Sequence, residues 1–133
     1  MEKIVRIPVT SDADVALARV KGRALAEELG FSPMDLTLIA TAIAELARSI
    51  VYHSRRGELV VSTVMRGHQN GISMVLREEP AAAYAVHPAL RPARPTSPAA
   101  DVQRVENLVD EFELVRAVGG GTTVTATKWL PAD

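Results

Sequence analysis

The sequence contains no cysteine, so neither a disulfide framework nor a thiolate metal site can form, and a reducing compartment fits that absence. Aromatic residues make up 4% of the chain, which leaves little material for a base-stacking platform and predicts a mainly aliphatic core. An excess of one charge is also missing. Lys and Arg number 15 against 16 Asp and Glu, for a formal net charge of −1. No electrostatic footprint for nucleic acid or an anionic membrane results. No apolar run approaches the roughly 18 residues of a membrane-spanning helix, and the first residues are too polar for a signal sequence. A soluble cytoplasmic protein is expected, with neither nucleic acid nor membrane as partner. Glycine is absent between Gly71 and Gly119, and lysine between Lys21 and Lys128. Backbone that must approach a phosphate closely uses the first, and a phosphate clamp often uses the second.

What is present is 133 residues, enough for a single domain, 1–133, with a core of its own. Its organising stretch is residues 32–53, which the spacing predicts to be one long helix. Ser32 is placed to cap it, Pro33 falls at the first helical position, and Asp35 sets a carboxylate in the first turn. Leu36, Ile39, Ala40, Ile43, Leu46, Ala47 and Ile50 recur at the spacing of one buried face. A polar stripe, Thr41, Glu45, Arg48, Ser49 and Tyr52, runs beside it, with Glu45 and Ser49 four residues apart.

Before this helix, residues 3–9 read as an edge strand that tolerates Pro8, and an edge can pair with a second copy, so a homodimer is one expectation. A first helix follows from Ser11 to its stop at Gly30. After the long helix, residues 58–66 and 72–77 alternate as two strands, and Asn70-Gly71 marks the turn between them. Residues 79–100 hold five of the eight prolines among alanines and read as one long irregular loop. A third helix is expected from Asp101, with Val102, Val105, Leu108, Val109 and Phe112 on its buried side. Residues 112–118 and 122–130 then close the chain as a hairpin through Gly119-Gly120-Gly121. Trp129 reads as a packing anchor. The order is an α/β (α+β) two-layer sandwich: a mixed five-stranded sheet with three helices on one face.

That order, with IATAIAELARSI at 39–50 and LVDEFELVRAVGGGTTVTATKW at 108–129, resembles the GHKL (histidine-kinase-like) ATPases. Within that superfamily the chain looks like the small serine/threonine switch kinases, or anti-sigma-factor kinases, of bacterial stress pathways. The resemblance implies a Bergerat-type fold, ATP and Mg²⁺ as cofactors, and a helix carrying a Glu followed four residues later by an Asn. The Glu matches Glu45, but Ser49 stands at the Asn position. The family's Asp-x-Gly-x-Gly run matches Glu78 to Ala82, where a carboxylate one methylene longer survives at Glu78 and both glycines are lost. The positions of the glycine-rich lid are Ser97, Ala99 and Asp101, within a degenerate lid at 79–100; Asp101 would set a negative charge where a phosphate sits. Thr122, in the closing Gly121-Thr122-Thr123, completes the equivalent set.

Joint loss of these parts predicts that ATP is not cleaved, since phosphoryl transfer rests on the positioning and electrostatics they supply. The expected protein is therefore a pseudokinase with no firm catalytic residue, a vestigial Glu45, no cofactor and no metal. By resemblance it acts through a protein partner: a STAS-domain antagonist, the regulatory region of a PP2C-type phosphatase, or a sigma factor. Arg48, Tyr52, Arg55 and Arg56, with Arg91 and Arg94 of the loop, are the expected partner-binding residues. The alternative is a divergent protein serine/threonine kinase that holds Mg-ATP through Glu45, Ser49 and Glu78 and phosphorylates a STAS-domain antagonist. The histidines His53, His68 and His87 show no ligand spacing.

Overall fold

The computed structural model describes residues 2–54, 56–79 and 102–131. Its elements run β1 (Ile4–Val9), α1 (Asp12–Leu29), α2 (Pro33–Ser49), a π turn (Ile50–Ser54), β2 (Gly57–Arg66), β3 (Gln69–Glu78), a 3₁₀ helix (Gln103–Leu108), β4 (Glu111–Arg116) and β5 (Thr122–Trp129). The five strands lie in the order β1-β2-β3-β5-β4. The α+β architecture is as expected. The sheet is not mixed, however, because every described pairing is antiparallel. Hairpins join β2 to β3 and β4 to β5, and short connections of this kind make antiparallel neighbours.

Period-two alternation turns one side of the sheet inward. Ile7, Val9, Leu59, Val61, Ile72, Met74, Leu76, Val124 and Ala126 are buried in one cluster with Leu36, Ile39, Ile43, Leu46 and Ile50. The stripe on α2 is therefore the centre of the core. The Ser32 hydroxyl caps α2 by accepting from the Asp35 N–H at 3.2 Å, while α1 stops at Gly30 in the left-handed conformation, φ 95°.

Three local readings change. The long helix leaves α geometry at Ile50 and widens into the π turn. The β2–β3 turn lies at Gly67-His68, with φ 63° at Gly67, and Asn70-Gly71 belongs to β3. A Cβ on Gly71 would stand 2.6 Å from Cε3 of Trp129 and 2.8 Å from the Lys128 carbonyl, so this glycine serves a close approach between strands. The third helix is a 3₁₀ turn, and Phe112 lies in β4. Val102, Val105 and Leu108 recur every three residues, the period of a 3₁₀ helix.

Candidate functional site

The C-terminal end of α2, the last residue of β3, the first residue of β5 and the 3₁₀ helix meet at one end of the sheet. Glu78 continues the inward phase of Ile72, Met74 and Leu76, so its carboxylate points beneath the helices and is only 5% exposed. Ser49, 1% exposed at the end of α2, donates its hydroxyl to Glu78 Oε2 at 3.3 Å. Thr122, also buried, stands opposite Glu78 in the β3–β5 ladder, and Gly57 stands opposite it in the β2–β3 ladder. A Cβ on Gly57 would collide with the Arg77 carbonyl and approach the Glu78 Cα to 3.2 Å. The backbone around Glu78 is thus fitted closely from both sides.

Glu45, one turn earlier on α2, faces a different set of groups. Its Oε1 accepts from Arg48 Nη1 at 3.0 Å and its Oε2 from Arg104 Nη2 at 3.3 Å. The Glu45 and Ser49 side chains, expected to share one target, are therefore directed to separate partners: two guanidiniums for the former and a buried carboxylate for the latter. Ser49 belongs to the interior and not to an exposed polar stripe. Thr41, the other hydroxyl of the stripe, is exposed and donates back to the Thr37 carbonyl at 2.8 Å.

Of the expected partner-binding residues, Arg48 and Tyr52 are half-buried and Arg56 is exposed. Arg56 lies 3.5 Å from the Glu79 carboxylate, and its carbonyl accepts from the Glu79 N–H at 3.1 Å. Arg48 also borders a groove of about 360 Å³ between α1 and α2, which Arg19, Arg23, Thr37 and Thr41 line as well. The two arginines of α1 escaped the sequence reading because their closeness to Arg48 is set by helix packing. Arg104 escaped it too, although a charged residue between Val102 and Val105 was a signal for an exposed side of that turn. Arg55, Arg91, Arg94, Ala82, Ser97, Ala99 and Asp101, and the lid beyond Glu79, lie outside the described residues. Among the described residues no group of three or more His, Asp or Glu side chains is placed to hold a metal ion, and no helix is long and apolar enough to cross a membrane.

No protein-family model matches the chain. Among curated proteins it is similar to "Serine/threonine-protein kinase RsbT" of Bacillus subtilis (strain 168), at 31% identity over 126 residues, which covers 93% of this chain and 95% of that protein. Among solved structures it is similar to the RsbU and RsbW domains of Rv1364c from Mycobacterium tuberculosis, with a TM-score of 0.62 at 22% identity. That likeness takes in 98% of this chain but 34% of the other, and it concerns the fold.

Proposed function

Since the chain belongs to the RsbT family of serine/threonine-protein kinases, we propose that it is a catalytically degenerate member that acts by binding proteins. The observation that carries this reading is the Ser49–Glu78 hydrogen bond. By resemblance, these two positions would serve Mg²⁺ and adenine; here they are directed at each other inside the protein. The residues present do not fit Mg-ATP. A metal ligand must turn its oxygen toward the ion, and the Ser49 hydroxyl is turned toward Glu78. Glu45 keeps the chemistry of a base, yet both of its oxygens already accept from arginines. The absence of glycine between Gly71 and Gly119, and of lysine between Lys21 and Lys128, supports the same reading.

The expected partners are a STAS-domain antagonist, a PP2C-type phosphatase regulatory region or a sigma factor, met in the cytoplasm. Arg48, Tyr52 and Arg56 offer charged and aromatic contact area at the end of α2, and Arg19 and Arg23 extend it along the groove. The combination of cations suits an acidic partner.

Melting in millimolar Mg-ATP tests the reading, because a ligand at 100 times its Kd stabilises the native state by about 2.7 kcal/mol. No rise in melting temperature and no heat in calorimetry are expected. A clear rise that Glu78→Ala abolishes would overturn this reading in favour of the divergent kinase, which the retained Glu45 and the kinase relative favour.

A further inference from the structure

The segment that follows the lid is anchored at both ends. Val102 and Val105 are fully buried in the core, and Leu108 and Val109 pack against it. At its far end the Asp110 N–H donates to the Thr127 carbonyl at 2.9 Å, and the Asp110 carboxylate accepts from the Trp129 N–H at 2.7 Å. With three residues per turn, Val102, Val105 and Leu108 share one side of the helix, and Arg104 falls on another. From that fixed position Arg104, 63% exposed, reaches the Glu45 carboxylate, which is 23% exposed. Arg48, on α2 itself, holds the other oxygen. One cation thus belongs to the helix that carries Glu45. The other arrives from a segment 59 residues away.

We infer that the 3₁₀ helix is an internal strap and that Arg104 is its latch on Glu45. A general base must aim a free lone pair at the proton it takes, within hydrogen-bond reach of the incoming hydroxyl. With Arg104 in place, Glu45 Oε2 accepts from a guanidinium that competes with an incoming hydroxyl for the carboxylate. The apolar plug of Val102 and Val105 positions the strap, and the ion pair closes it. These two parts respond differently to conditions: salt screens a half-exposed ion pair and leaves buried valines in place. The latch is therefore reversible without unfolding. The inference rests on the reading of Glu45 as the descendant of a catalytic base. It differs from loss of the nucleotide site in that it operates on the protein alone.

Carbodiimide-driven coupling of glycine ethyl ester to the whole protein, with each modified carboxylate located by peptide mass spectrometry, reads the latch directly. Arg104→Gln is expected to raise the coupling rate at Glu45 about fivefold. Arg104→Lys, which keeps the charge, should stay near the unaltered protein. Moving from 50 mM to 1 M NaCl should accelerate Glu45 coupling more in the unaltered protein than in Arg104→Gln, where only the Arg48 pair is left to screen. Glu111, paired with Arg66 elsewhere, is the internal standard and should not change with residue 104. Equal Glu45 rates in the unaltered and Arg104→Gln proteins, at equal melting temperatures, would overturn the latch. No nucleotide enters this assay, so Mg-ATP binding found by calorimetry would overturn the pseudokinase reading and not this one.

Discussion

The Ser49 hydroxyl and the Glu78 carboxylate are joined at 3.3 Å, so the last turn of α2 is fastened directly to the end of β3. Both groups are buried. A carboxyl group that has left water needs hydrogen-bond partners, and taking one away leaves the desolvation of the group it served uncompensated. Ser49→Ala removes one of them. The expected loss is about 1–3 kcal/mol, read as a lower urea midpoint with an unchanged slope. Ser49→Asn, which restores the residue type that the family resemblance implies, sets a larger side chain at a position only 1% exposed, and is expected to cost about 1–3 kcal/mol as well. An unaltered midpoint for Ser49→Ala would show that Glu78 does not depend on this donor.

Gly71 makes a second prediction, of strain. Its Cα faces the Trp129 ring and the Lys128 carbonyl across the β3–β5 ladder, and a methyl group there would lie 2.6 and 2.8 Å from them. The indole could tilt; the carbonyl belongs to the ladder and cannot move alone. Gly71→Ala is therefore expected to destabilise the fold by about 1–3 kcal/mol, despite the better strand propensity of alanine. Asn70→Ala, at the neighbouring position where a turn residue would matter if the turn were there, should change stability by less than about 0.5 kcal/mol. Thermal or urea melting of the two variants distinguishes a packing glycine from a turn glycine.

Acid should weaken the end of the sheet where Arg66 crosses to β4 and β5. Arg66 donates to both Glu111 oxygens, at 2.6 and 3.1 Å, its guanidinium lies 4.6 Å from the centre of the Trp129 ring, and the Trp129 indole N–H donates to Glu111 at 3.0 Å. The Arg66 hydrogen bonds, and after them the indole N–H, hold the Glu111 carboxyl below its ordinary value of 4.5. A carboxyl lowered in the folded state contributes stability above its unfolded value and loses it as pH falls through the folded value. Stability should accordingly decline below about pH 4.5, and Arg66→Ala should flatten that part of the curve. Urea midpoints between pH 3 and 7 check it. Asp14, lowered mainly by the Thr10 N–H, contributes with the same sign and should be unaffected by Arg66→Ala.

Much of this fold could be read from local pattern. The cap at Ser32, the apolar stripe of α2, the stop at Gly30 and the alternation in β2 and β3 each follow from a period or a single residue's chemistry. The RsbT-family assignment rested on ELARS and on the closing hairpin, and the comparison bears it out. What local pattern could not supply is anything that depends on which elements touch. The Asn70-Gly71 pair is a good turn signal, but pairing from Arg66↔Gln69 onward extends both strands past it, and Trp129 then claims the glycine. The Val102-Val105-Leu108 spacing fits an α-helix in outline, but its strict period of three is that of the 3₁₀ turn the chain forms. At the site, Glu45, Ser49 and Glu78 were each found by motif position; that Ser49 would turn to Glu78 and Glu45 to Arg104 required the packing of α2 against β3 and the 3₁₀ helix.

The proposed partner surface makes the last prediction. Arg56 is exposed just before β2, and its ion pair with Glu79 is at the surface, where such pairs contribute about 0–1 kcal/mol to stability. Arg56→Glu loses that pair and sets two carboxylates side by side at the surface, so the melting temperature should fall only slightly. The substitution replaces one positive charge by a negative one within the proposed interface, and like charges brought together in docking cost several kcal/mol. Affinity for the acidic partner should then fall at least tenfold, and the affinity of the unaltered protein should weaken as salt rises. Lys3→Glu, whose backbone pairs with Thr63 toward the other end of β2, makes the same change of charge at a distance and should leave binding within about threefold. Calorimetry of both variants with the partner recovered by pull-down decides the matter: equal losses would place the surface elsewhere, and a loss confined to Arg56 would place it at the end of α2.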